Sequence, residues 1–139
     1  MFVTTTIWNA FLKKLEKRLA ARARIIEVDA VALAGLTADA TWRTYDATAI
    51  TSAKAKWIYL TVEWTGITTN VLVLNFRKYG RTNIQQKCHY TEVGSGTKKM
   101  TWNFKVAMDV QQRFQYNASA AGTLVITCTG YIETGRQWA

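Results

Sequence analysis

Apolar residues change their period once along this chain, near residue 24. Before that point Trp8, Phe11, Leu12, Leu15 and Leu19 recur at steps of three and four, the spacing of one helix face. They span an arc of about 120° on a helical wheel, with Lys13, Lys14, Lys17 and Arg24 opposite. Three threonines at 4–6 offer an N-cap, and the cations gather toward the C-terminal end, where the helix dipole favours them. After residue 24 the pattern becomes alternation. Residues 25–33, 41–48, 56–64, 71–78, 84–92, 101–108, 113–118 and 123–133 each read as a strand, with turn residues between them.

The alternation assigns faces. In 56–64, Ile58, Leu60, Val62 and Trp64 share one face, and Trp57, Tyr59, Thr61 and Glu63 the other. Leu72, Leu74 and Phe76 point inward from 71–78. In 101–108, Trp102, Phe104, Val106 and Met108 point inward, while Thr101, Asn103, Lys105 and Ala107 point out. The segments 113–118 and 123–133 are expected to close the chain as a hairpin across Ala120-Ala121-Gly122. No helical period interrupts the strands. Eight strands at such spacing predict an all-β fold: an eight-stranded antiparallel jelly-roll-like sandwich with one N-terminal amphipathic α-helix. Residues 1–24 are then a basic helical docking arm and residues 25–139 a β-sandwich body.

Charge reinforces the division. Lys13, Lys14, Lys17, Arg18, Arg22 and Arg24 stand against Glu16 alone, so the first 24 residues carry more than half of the formal +9. A chain of 139 residues with 49% hydrophobic and 19% charged residues is long and apolar enough for one folded core. No apolar run approaches the roughly 18 residues of a transmembrane helix. The start does not read as a secretory signal, because the basic cluster follows the apolar residues instead of preceding them. Organelle presequences share the amphipathic, Arg-rich character, but this segment is expected to stay on the protein as an arm. Proline is absent, so Gly, Asn, Asp, Ser and Thr must make the turns.

Few residues suggest chemistry. Cys88 and Cys128 are too few for a disulfide framework and read as two buried free thiols, with a single cross-sheet disulfide between them as the alternative. His89, the one histidine, is next to Cys88; neighbours on a strand face opposite ways, so the two form no nucleophile–base pair. Cys88, His89 and Cys128 supply three metal ligands at most, split by the same geometry. Gly94-Ser95-Gly96-Thr97-Lys98 lacks the Gly-Lys pair and the following helix of a phosphate loop, and reads as a hairpin loop. Asn117-Ala118-Ser119 matches a glycosylation sequon but follows no secretory signal. No catalytic residue, metal or cofactor is expected.

Binding surfaces fit the sequence better. Tyr45, Trp57, Tyr59 and Tyr131 are expected on outward faces, as cross-strand packing, a subunit interface or a glycan platform. The helix has three readings: a cover for its own sandwich, a docking element for another protein, or a contact to nucleic acid or a membrane surface. Phosphate contact needs no bulky apolar face, and this helix has one, which favours protein docking through Trp8, Phe11, Leu12, Leu15 and Leu19, with Lys13, Lys14, Lys17 and Arg18 meeting an acidic surface. Burying those five side chains contributes on the order of 5–10 kcal/mol before ordering costs.

Two stretches carry a resemblance. Tyr45-Asp46-Ala47-Thr48-Ala49-Ile50, then Ala53-Lys54-Ala55-Lys56-Trp57-Ile58-Tyr59-Leu60, resembles a pattern of structural proteins of tailed bacteriophages. There an Asp-containing strand leads through a short loop ending in Ala-Lys to a long hydrophobic strand. Those relatives often have a loop proline where this chain has Thr51-Ser52. The closing segment with Gln112-Arg113-Phe114-Gln115-Tyr116-Asn117 and Gly130-Tyr131-Ile132-Glu133 is similar to the end of such sandwiches. The resemblance implies a non-enzymatic virion protein, made in the host cytoplasm: a head decoration protein, head-fibre base or tail component. Its partners would be capsid, portal or tail subunits, and its own copies as a homo-oligomer such as a trimer. A small jelly-roll capsid protein whose basic arm contacts nucleic acid and a glycan-binding module are the alternatives.

Overall fold

A computed structural model of the chain describes residues 5–20, 23–67, 69, 71–91 and 96–134; within the helix, side chains are described for residues 5–15. One helix, α1 (Thr5–Ala20), precedes eight strands: β1 (Arg24–Ala32), β2 (Arg43–Asp46), β3 (Ala55–Ile67), β4 (Val71–Lys78), β5 (Gln86–Thr91), β6 (Lys98–Ala107), β7 (Arg113–Ala118) and β8 (Thr123–Glu133). They form two antiparallel four-stranded sheets, ordered β1-β8-β3-β6 and β2-β7-β4-β5. This interleaved order is that of a jelly roll, as the strand count predicts.

The strand order corrects one expectation. Residues 113–118 and 123–133 form no hairpin, because β7 pairs with β2 and β4 in one sheet while β8 pairs with β1 and β3 in the other. The connection from β5 to β6 likewise passes between sheets, so the loop containing Gly96 is not a hairpin; residues 92–95 lie outside the described residues. Only β4 and β5 are sequential partners, joined through Gly80 at φ 80°. Alternation reports which side of a strand is apolar. It does not report which strand lies beside it.

β3 shows why the sheets face each other. Its alternation leaves Ile58, Leu60, Val62 and Trp64 almost fully buried, and it is flanked on both sides by β6 and β8. Opposite them, Leu72, Leu74 and Phe76 on β4 and Phe114 and Tyr116 on β7 complete the core. Phe76 stands at its centre, edge-on to Phe104 at 4.8 Å and tilted against Phe114 at 6.2 Å. Trp102 and Phe104 do face inward, in register with Val62 and Leu60, but they stay half-buried because β6 is an edge strand. Ala107, expected outward, is buried; its N–H donates to Gln85 Oε1 at 2.9 Å.

Side chains take over the work of the absent proline. Asp39 accepts from Thr41 N at 3.2 Å, Asp46 from Thr48 N at 2.9 Å, and Asp109 from Gln111 N at 3.1 Å and Arg113 N at 2.9 Å. Each carboxylate fixes a turn two residues ahead of itself. Arg24, expected as the last residue of the helical arm, is instead the first residue of β1, and its guanidinium lies 3.6 Å from Glu133. None of the core among the described residues comes from α1. Among the described residues, no helix is long and apolar enough to cross a membrane.

Candidate functional site

Two surfaces collect the exposed residues that sequence reasoning singled out. The first is α1. Trp8, Phe11, Leu12 and Leu15 are 53%, 54%, 37% and 41% exposed, so the sandwich leaves this stripe uncovered. Trp8 and Phe11 stack on each other with ring centroids 5.7 Å apart, as residues three apart on a helix do. Lys13 and Lys14 are exposed and make no ion pair among the described residues. The side chains of Lys17, Arg18 and Leu19, and residue Arg22, lie outside the described residues.

The second surface is the outer face of the β1-β8-β3-β6 sheet. The predicted aromatic set divides here. Trp57 and Tyr59 do lie on this face. Trp57 is in register with Ile132 on one side and Ala107 on the other, and Lys105 Nζ sits 4.9 Å over its ring. Tyr59 is opposite Gly130 and Lys105. Tyr45 and Tyr131, expected outside, pack against the core instead. Tyr45 is in register with the buried Phe114, with ring centroids 5.5 Å apart, and burial raises its phenol pKa. Tyr131 is turned inward by a bulge: β8 gains a residue between Cys128 and Gly130, so Tyr131 pairs with the core residue Ile58. One inserted residue reverses every later side chain.

Two further residues, Ile25 and Glu27, belong to this second surface, and Asp29 stands beside it in the register shift between Glu27 and Val31. Ile25, 65% exposed, is in register with Ile132 and so extends the apolar row that ends at Trp57. Glu27 and Asp29 follow on the same strand, both exposed. The alternation of residues 25–33 contained the signal, but nothing in the sequence says that β1 is an edge strand.

The outer face of the other sheet is a hydrogen-bonded polar ladder. Arg77 lies 3.7 Å over the Trp42 ring and donates to Gln115 Oε1 at 2.9 Å, and Gln115 donates to Thr44 Oγ1 at 3.2 Å. Asn75 donates to Asn117 Oδ1 at 3.0 Å, and Asn117 donates to Ala40 O at 3.3 Å, which engages the sequon amide within the sheet. At one end Arg113 stacks 3.7 Å over Tyr79 and pairs with Asp109 at 2.7 Å.

Cys88 and Cys128 are buried and free. Burial pushes the Cys88 thiol up to about 12 and raises that of Cys128, so neither is poised as a nucleophile. His89 is exposed on the opposite face of β5. Among the described residues no three His, Cys, Asp or Glu side chains cluster as metal ligands would.

No family model and no curated protein sequence matches this chain. Among solved structures, a Bacillus endospore appendage pilus protein is 16% identical, covering 83% of this chain and 92% of its own, with a TM-score of 0.42. A carbohydrate-binding module of Cellvibrio mixtus lichenase 5A, solved with cellotriose, is 13% identical over 81% of this chain and 98% of its own, with a TM-score of 0.36. A protein from the structure of the infectious bursal disease virus Gx strain is 12% identical over 80% of this chain, with a TM-score of 0.26. The chain spans about a third of that viral protein, at 32% of its length.

Proposed function

We propose that this protein is a non-enzymatic structural subunit of a virus particle, joined to its neighbours through α1. One observation carries the reading: among the described residues the core draws nothing from α1, yet the helix exposes Trp8, Phe11, Leu12 and Leu15 as a continuous apolar stripe. A stripe of that kind gains free energy only when something covers it. The cations Lys13 and Lys14 favour a cover with acidic groups. A place in the particle of a tailed phage, as head decoration, head-fibre base or tail component, follows from the resemblance of residues 45–60. The jelly roll is compatible with that role.

The test removes residues 1–23 and keeps Arg24, whose guanidinium stands by Glu133 on the neighbouring strand. The truncated chain is expected to fold and to melt as the full chain does, and to be missing from particles that incorporate the full chain. Equal incorporation of both forms would end the docking role. Steeply salt-dependent binding of the full chain to DNA or RNA would instead favour the capsid-arm alternative.

A further inference from the structure

The two edge strands of the β1-β8-β3-β6 sheet are treated differently. At β6, Gln85 accepts from Ala107 N at 2.9 Å and Gln86 Nε2 reaches Lys105 O at 3.4 Å, so neighbouring side chains close part of the edge. Among the described residues no side chain hydrogen-bonds to the β1 edge. An open strand of nine residues invites association, and proteins often cover such an edge with a helix.

The side chains of β1 narrow what covers it. Of the described carboxylates, Asp39, Glu63, Asp109 and Glu133 form ion pairs and Asp46 accepts from Thr48 N. Among the described residues Glu27 and Asp29 do neither, and these two acids stand two residues apart on this one strand. Beside them runs the apolar row of Ile25, Ile132 and Trp57. Lys105, over Trp57, and Lys99, paired with Glu63, place cations of this face on β6, at the far side from β1. The β1 edge is therefore apolar with an acidic rim, and α1 is apolar with lysines that make no ion pair among the described residues. The two surfaces are complementary in both respects, and the described side chains of α1 are not seated on their own sandwich.

We propose that α1 of one copy docks on the β1 edge of a second copy, its apolar stripe on Ile25, Ile132 and Trp57 and its Lys13 and Lys14 facing Glu27 and Asp29. The inference rests on the reading of α1 as a docking element and names its partner. The contact is heterologous: each subunit gives an arm to one neighbour and receives an arm from another. Such contacts close into rings when the rotation closes, and otherwise run on as filaments.

Charge exchange tests this with the full chain. Lys13→Glu with Lys14→Glu makes an acidic arm, and Glu27→Lys with Asp29→Lys makes a basic edge. All four positions are exposed, and thermal melting checks that each variant folds. The native chain is expected to self-associate in sedimentation velocity at low salt. Each variant alone should need a concentration at least about tenfold higher. Mixed in equal amounts, they should assemble again, because the acidic arm of one meets the basic edge of the other. Should reversal disturb β1, the neutral pair Glu27→Gln and Asp29→Asn is expected to weaken association several-fold. A native chain that stays monomeric, variants that assemble like the native chain, or a mixture that stays dissociated would each overturn the proposal. If truncation of residues 1–23 still blocks particle entry, the docking role survives with a partner other than a second copy; if it does not, both readings fall.

Discussion

At Gly122 a side chain has no room. A Cβ built there would meet Trp64 Nε1 at 2.6 Å and the Thr65 carbonyl oxygen at 2.7 Å. The indole belongs to the fully buried Trp64 and the carbonyl to the central strand β3, so neither gives way cheaply. Gly122→Ala is expected to cost about 1–3 kcal/mol, measured by urea unfolding at constant m-value. Asp109 sets a second expectation. Burial pushes its carboxyl up, but hydrogen bonds from the Arg113 side chain and from Arg113 N and Gln111 N outweigh that and hold it below the ordinary 3.8. A folded value below the unfolded one means the contribution to stability is present above about 3.8 and is lost as pH falls through the lower folded value. Asp109→Asn should therefore flatten the acid side of the stability–pH curve below about pH 4, while native protein loses stability there; equal slopes for the two would remove Asp109 from the account.

At the scale of elements, legibility followed the periodicity. The alternation in β3 and β4 is long and strict, and both strands bury the residues it assigns to the core. It failed wherever parity breaks. The β8 bulge turned Tyr131 inward, which alternation counted from Leu124 could not anticipate. β2 is only four residues long, too short for alternation to assign Tyr45 a face without its partner Phe114. Edges were equally hidden, so Ile25, Glu27 and Asp29 read as ordinary strand residues until β1 was seen beside β8 alone. α1 was legible from its 3.6 period, but its end was not. Arg24 continues the basic run and yet begins a strand, which takes one cation away from the arm and gives it to the ion pair with Glu133.

At the scale of the whole molecule, eight strands and their inward faces narrowed the fold to a sandwich, and partner choice then selected the jelly roll. Partner choice is a long-range property: β1 lies against β8, and β2 against β7, across most of the chain. Among the described residues α1 adds nothing to the core and β1 is left as an edge, so the molecule presents an exposed apolar helix face and an exposed acidic strand together. What surrounds α1 in the assembled state is thus the central question. Benzoylphenylalanine placed at Phe11 and photolysed in assembled material answers it directly. The account predicts a crosslink to another polypeptide, seen as a shifted band on a denaturing gel and mapped by mass spectrometry. A crosslink confined to the same chain, or formed only with nucleic acid, would contradict it.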